Sequence, residues 1–213
     1  AKKCFMAKRI MLLPGVGIDI RANLLDKNFE KNNERKKMNL EEDDFVILSV
    51  GELSRRKNHK MVIDLIYKMK NKKIKYLICG IGNLEKEYRD LIKKRKLENQ
   101  VFLLGYQTEL KNIYGIADVF CLTSFYEGLP VCLLTAIATG TVSICSDIRG
   151  NHELVRDKNY LFNPKDPKDL ERCIKYVMKN DNTNAVENNL ENLKRYDSHY
   201  VNHIMGKVFR GIV

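Results

Sequence analysis

Apolar residues in this chain fall into short β-branched runs, separated by stretches in which they recur every three or four positions. Phe45–Val50 is such a run and ends at Gly51, which predicts a buried parallel strand. Val62, Leu65, Ile66 and Met69 follow at helical spacing. Residues 75–79 predict a second strand, closed by Gly80-Ile81-Gly82, and Leu84, Tyr88, Leu91 and Ile92 a second helix. A third strand over 101–104 stops at Gly105, and a short helix covers about 109–116. Val119–Leu122 reads as a fourth strand and 142–145 as a fifth; 160–162 is a short sixth. Leu170, Cys173, Ile174, Val177 and Met178 give a closing helix.

Strands that alternate with helices and turn at glycines predict an α/β fold with a doubly wound, Rossmann-like parallel sheet. Right-handed crossovers then put every strand's C-terminal end on one edge. Gly51, Gly80, Gly105 and the loop 124–130 should line one crevice there. The stretch from Ser124 to Gly140 is the most informative: Glu127-Gly128-Leu129-Pro130 leads into an apolar helix. A helix N-terminus suits a phosphate, Pro130 fits the first helical turn, and Gly128 admits a ligand to the backbone. With a carboxylate at its mouth, the turn suggests a site for a phosphorylated, hydroxyl-rich ligand.

Two segments depart from this rhythm. Residues 1–44 hold an apolar run over 9–13, then Pro14-Gly15-Val16-Gly17-Ile18-Asp19, then a charged stretch with few apolar positions. They read as a lead-in from a preceding domain. Residues 45–180 form the predicted ligand-binding domain, and 181–213 an Asn-rich helical tail with Tyr196, Tyr200, Ile204 and Val208 at helical spacing.

At 213 residues, with 44% hydrophobic and 31% charged positions, the chain can bury a full core. Its net charge of +11 leaves three partner classes: nucleic acid, an anionic membrane surface or phosphorylated small molecules. No nucleic-acid-binding motif is present, so nucleic acid is not expected; peripheral membrane association stays open. The six cysteines form no C-x-x-C pair and read as buried hydrophobes in a reducing compartment. No metal site is expected, since His199 and His203 lack a third ligand nearby.

The ordered motifs resemble the nucleotide-binding half of a retaining GT-B fold glycosyltransferase, family 4 (group 1) type, of the capsular and exopolysaccharide kind. They are Pro14-Gly15-Val16-Gly17-Ile18-Asp19, Val50-Gly51-Glu52-Leu53-Ser54-Arg55-Arg56-Lys57-Asn58-His59, Gly80-Ile81-Gly82, Phe102-Leu103-Leu104-Gly105-Tyr106, Glu127-Gly128-Leu129-Pro130 and Ser146-Asp147-Ile148-Arg149-Gly150-Asn151-His152-Glu153-Leu154. The resemblance implies that the chain binds a nucleotide-diphosphate sugar, with a UDP-sugar the expected donor, without a metal or other cofactor. Lys57 would meet the donor diphosphate and Glu127 the donor sugar, as the catalytic pair. Gly51, Arg55, Arg56, Asn58, Gly80, Gly82, Gly105, Tyr106, Gly128, Leu129, Pro130 and Thr135 would complete the substrate site. The acceptor, a glycan or lipid-linked glycan, would be held by a missing N-terminal domain, in the cytoplasm or at the inner face of the membrane. The isolated chain is expected to bind nucleotide and transfer nothing.

Three positions depart from the family pattern. Glu52 stands where many members carry Arg, with Arg55 or Arg56 available to compensate. Val142 replaces a common proline. Thr135 replaces the second of two glutamates, which usually binds the ribose hydroxyls. The last departure keeps a second reading open, a degenerate nucleotide-sugar-binding module with a scaffolding or regulatory role.

Overall fold

The computed structural model describes residue 15 and residues 17–210. The predicted run over 9–13 lies outside them. In chain order the elements are α1 (Ile20–Asn23), α2 (Lys31–Lys37), β1 (Phe45–Val50), α3 (Lys60–Met69), β2 (Ile74–Cys79), α4 (Glu85–Lys94), β3 (Val101–Gly105), α5 (Lys111–Ile116) and β4 (Val119–Leu122). They continue with α6 (Val131–Ala138), β5 (Ser143–Ser146), α7 (Arg149–His152), β6 (Leu161–Phe162), α8 (Pro167–Lys179), α9 (Thr183–Leu193) and α10 (Ser198–Phe209).

The six strands form one sheet in the order β3-β2-β1-β4-β5-β6, every neighbouring pair parallel. This is the doubly wound arrangement, and its switch point lies between β1 and β4, whose connections leave in opposite directions. The strands read as continuous apolar runs because both faces are covered: Val46, Ile47, Leu48, Phe120, Cys121, Ile144 and Cys145 are fully buried. Five cysteines, at 79, 121, 132, 145 and 173, are free thiols, and burial pushes Cys79 up to about 12.

The charged stretch before β1 is held by polar bonds rather than apolar packing. Arg35 on α2 is 3% exposed. It donates to the carbonyls of Ile116, Glu42 and Asp44 and to the Asp118 carboxylate at 2.6 Å. Asp118 also accepts from Lys31 and from the Val46 amide. One buried guanidinium thereby docks α2 on α5 and on the N-terminal ends of β1 and β4.

The tail is two helices rather than one, joined by a 3₁₀ turn over Lys194–Tyr196. Tyr196, in that turn, is buried, so it does not share one helix face with Tyr200 and Val208 as its spacing predicted; Tyr200, Val208 and Phe209 are exposed. Tail and lead-in run together: the Ile18 amide donates to the Tyr196 carbonyl, and the Ser198 amide to the Ile18 carbonyl.

His59, at the N-terminus of α3, is 2% exposed. Its Nε2 donates to the Glu52 carbonyl and its Nδ1 lies 3.2 Å from the Tyr76 hydroxyl. Burial, aided by the Lys57 charge, holds His59 down at about 4, against 6.5 for a free imidazole. The folded state keeps the ring neutral, while the unfolded chain protonates it first as pH falls. The His59 contribution is therefore complete above pH 6.5 and is lost between 6.5 and about 4, by roughly 3 kcal/mol. Urea unfolding across that window should show a steep loss of stability that His59→Gln flattens. Equal slopes for the two proteins would contradict this.

Candidate functional site

The loops that follow β1 and β4 meet above the switch point. From the first come Arg56 and Lys57, from the second Ser124 and Glu127. Arg56 Nη1 lies 2.8 Å, Lys57 Nζ 2.7 Å and the Ser124 hydroxyl 2.7 Å from the same oxygen, Glu127 Oε1. The Lys57 and Glu127 side chains are each only 9% exposed, and Arg56 30%. Arg56 also lies over the Tyr126 ring. A carboxylate and two cations are thus joined across the crevice at the C-terminal ends of two central strands.

Backbone and hydroxyl bonds fix this geometry. The Thr123 hydroxyl lies 2.7 Å from the Lys57 carbonyl and 3.1 Å from that of Asn58, and the Phe125 amide donates to the Arg56 carbonyl. Behind them the Ser146 hydroxyl donates to the Ser124 carbonyl at 2.6 Å, and the Asn151 amide donates to the Ser146 carbonyl. Gly150 lets α7 approach closely: a Cβ there would stand 2.3 Å from the Gly128 carbonyl oxygen and 2.7 Å from that of Glu127.

Beside the charged cluster lies an open cavity of about 390 Å³, lined by Val50, Gly51, Glu52, Cys79, Gly80, Ile81, Tyr106, Gln107 and Leu110. Its wall is largely apolar, and Tyr106 is 74% exposed at its rim. Gly80 has no room for a side chain, since a Cβ would stand 2.0 Å from the Gly51 carbonyl oxygen. The cavity and the cluster adjoin through Gly51, whose missing side chain would meet the Lys57 stem.

The structure brings together Gly51, Gly80 and Tyr106 around the cavity, and Arg56, Lys57 and Glu127 around the carboxylate. Gly128, Leu129 and Pro130 complete the turn. Gly128 faces open space, and Leu129 lies against Gly15 of the lead-in. Pro130 stands one position earlier than expected, as the N-cap of α6 rather than in its first turn. That still leaves the Val131 and Cys132 amides unbonded within the helix.

Other predicted residues are placed differently. Gly105 ends β3 and accepts from the Gly80 amide. Gly82 backs onto Leu53, and it lies outside the cavity lining. Asn58 turns its amide to Met61 Sδ, and Arg55 is exposed with no side-chain partner among the described residues. Thr135 donates its hydroxyl to the Val131 carbonyl one turn back in α6, a local bond that short hydroxyl side chains favour.

Sequence reasoning assigned no role to Thr123, Ser124, Ser146, Asn151 or Gly150. For Thr123, Ser124 and Ser146 the signal is a hydroxyl at or just past the end of a buried strand, where a polar group must find a nearby partner. If the close approach at Gly150 sets the Glu127 turn, Gly150→Ala should destabilise the protein by about 1–3 kcal/mol in urea unfolding, since neither neighbouring carbonyl can yield cheaply. A variant as stable as its parent would contradict that.

The described residues contain no helix long and apolar enough to cross a membrane, and no group of three His, Cys, Asp or Glu side chains placed to hold a metal ion.

Comparison with known proteins places this chain in a family. Residues 30–196 match the model of "Glycosyl transferases group 1". The putative glycosyltransferase EpsD of Bacillus subtilis is 28% identical over 151 residues, 70% of this chain and 40% of EpsD. The O-antigen biosynthesis glycosyltransferase WclY of Escherichia coli is 30% identical over 172 residues, 79% of this chain and 48% of WclY. The chain thus spans less than half the length of either relative. The fold is similar to that of Anabaena HepE, solved in complex with UDP and glucose, with a TM-score of 0.82 at 20% identity over 92% of this chain and 55% of HepE. With the family model covering most of its length, the chain belongs to the group 1 glycosyltransferases, and its sheet is the Rossmann-like domain of a GT-B fold.

Proposed function

We propose that this chain is the donor-binding part of a retaining glycosyltransferase that takes a nucleotide-diphosphate sugar, a UDP-sugar by preference. The observation that carries this reading is the Arg56–Lys57–Glu127 cluster beside an apolar cavity at the switch point of the sheet. The cavity suits a planar base gripped by Ile81, Leu110 and the Tyr106 ring. The diphosphate would lie over Lys57, Arg56 and the free amides at the start of α6. These cations and the helix N-terminus would stabilise the charge that develops on the leaving diphosphate, in place of a metal ion. Glu127 would orient the sugar.

The acceptor would be a glycan, free or lipid-linked, engaged through a further domain, in capsular or exopolysaccharide synthesis at the cytoplasmic face of a membrane. The O-antigen biosynthesis role of WclY and the binding of UDP and glucose by HepE support this class.

A second reading is a degenerate binding module, and Thr135 favours it, because its hydroxyl donates to the Val131 carbonyl and leaves only uncharged acceptance where a carboxylate would accept with two charged oxygens. Calorimetry with UDP, GDP and their common sugars tests the first reading: selective binding of one nucleotide is expected, and binding of none would contradict it. Thr135→Glu then separates the two readings. An adapted site should change its affinity by less than about threefold. A rise of about tenfold or more, the worth of one charge-assisted hydrogen bond, would favour the degenerate module.

A further inference from the structure

We propose that Glu127 is a resident counter-ion that the donor diphosphate must displace, so that Arg56 and Lys57 exchange partners when the donor binds. The proposal rests on the donor-site reading above. An anion site needs cations with free donors, yet here both cations are already committed to a carboxylate of the same chain. Arg56, Lys57 and Ser124 converge on one oxygen, Glu127 Oε1, at 2.7–2.8 Å, while Oε2 receives no donor among the described residues. In its position that oxygen imitates a phosphate oxygen with three donors.

Lys57 is almost wholly withdrawn from water, so its charge needs an anion in every state of the protein. Without ligand that anion is Glu127; with ligand, a diphosphate carrying more charge competes for the same donors. The turn that carries Glu127 is not packed in at the adjoining Gly128, where an added Cβ would meet no atom within 4 Å. Once released, its carboxylate is free to accept hydrogen bonds from sugar hydroxyls. Arg56 becomes the second diphosphate cation and answers the question raised by Glu52: of the two neighbouring arginines, it is Arg56 whose guanidinium reaches the cluster.

The exchange gives Glu127 two opposite effects, a penalty on a bare nucleoside diphosphate and a gain with the sugar attached. In calorimetry on the whole 213-residue chain, Glu127→Gln should bind UDP about tenfold more tightly than the parent and uridine unchanged. Arg56→Gln should bind UDP about tenfold more weakly, again with uridine unchanged. UDP binding to a folded Glu127→Gln variant that is equal to or weaker than the parent's would overturn the exchange. Should that variant fail to fold by circular dichroism, Arg56→Gln decides, and undiminished UDP affinity overturns the proposal. If the parent binds uridine and UDP not at all, the donor reading itself fails; if the parent binds UDP and only the variants disagree, the exchange alone fails.

Discussion

The buried ion pair between Lys57 and Glu127 is the interaction on which the site depends. It joins the loops of β1 and β4 across the one place where the connections of the sheet diverge. Removing water from two charges costs several kcal/mol per ion, and mutual attraction at 2.7 Å repays that only with good geometry. Replacing both with apolar groups would often be neutral, whereas deleting one leaves the other unpaired at a cost of about 3–5 kcal/mol. Such a pair adds little net stability. Its structural consequence is that a lysine side chain only 9% exposed is positioned at the C-terminal end of the central strands.

Everything nearby serves to hold that geometry. Thr123 through its hydroxyl and Phe125 through its backbone amide tie the two loops together, while Ser146, Asn151 and Gly150 brace the Glu127 turn from behind. His59, neutral and buried, pins the start of α3 to the Glu52 carbonyl and to the core hydroxyl of Tyr76. The cluster is therefore carried at the C-terminal edge of the sheet, on loops tied to each other and to α7. The contact of Gly15 with Leu129 brings the lead-in against the Glu127 turn, and Ile18 pairs with the tail at Asp197.

The sheet was legible in the sequence because its central strands are buried on both faces and β1, β2 and β3 end at or just before glycines. Gly80 is the clearest case, with no space for a side chain against Gly51. The switch-point crevice followed from topology alone. Three features were not legible, each set by contacts distant in sequence. The charged stretch of α2 packs through Arg35, whose partners at 116 and 118 lie some eighty positions on. Tyr196 keeps helical spacing with Tyr200 and yet is buried, because a 3₁₀ turn breaks the tail before α10. Thr135 was expected to bind ligand, but its hydroxyl donates within its own helix, to the Val131 carbonyl. Spacing predicts which face a residue shares; it does not predict which neighbour claims its polar atoms.

Hydrogen–deuterium exchange with and without UDP tests the central claim most directly. Bound nucleotide should slow exchange at the ends of β1, β2 and β3, over 51–57, 80–82 and 105–107, and across the Glu127 turn into the first turn of α6. The N-terminal ends of the strands and α2 should be unaffected. Protection confined to those ends, or none at saturating UDP, would contradict a donor site at the switch point of this sheet.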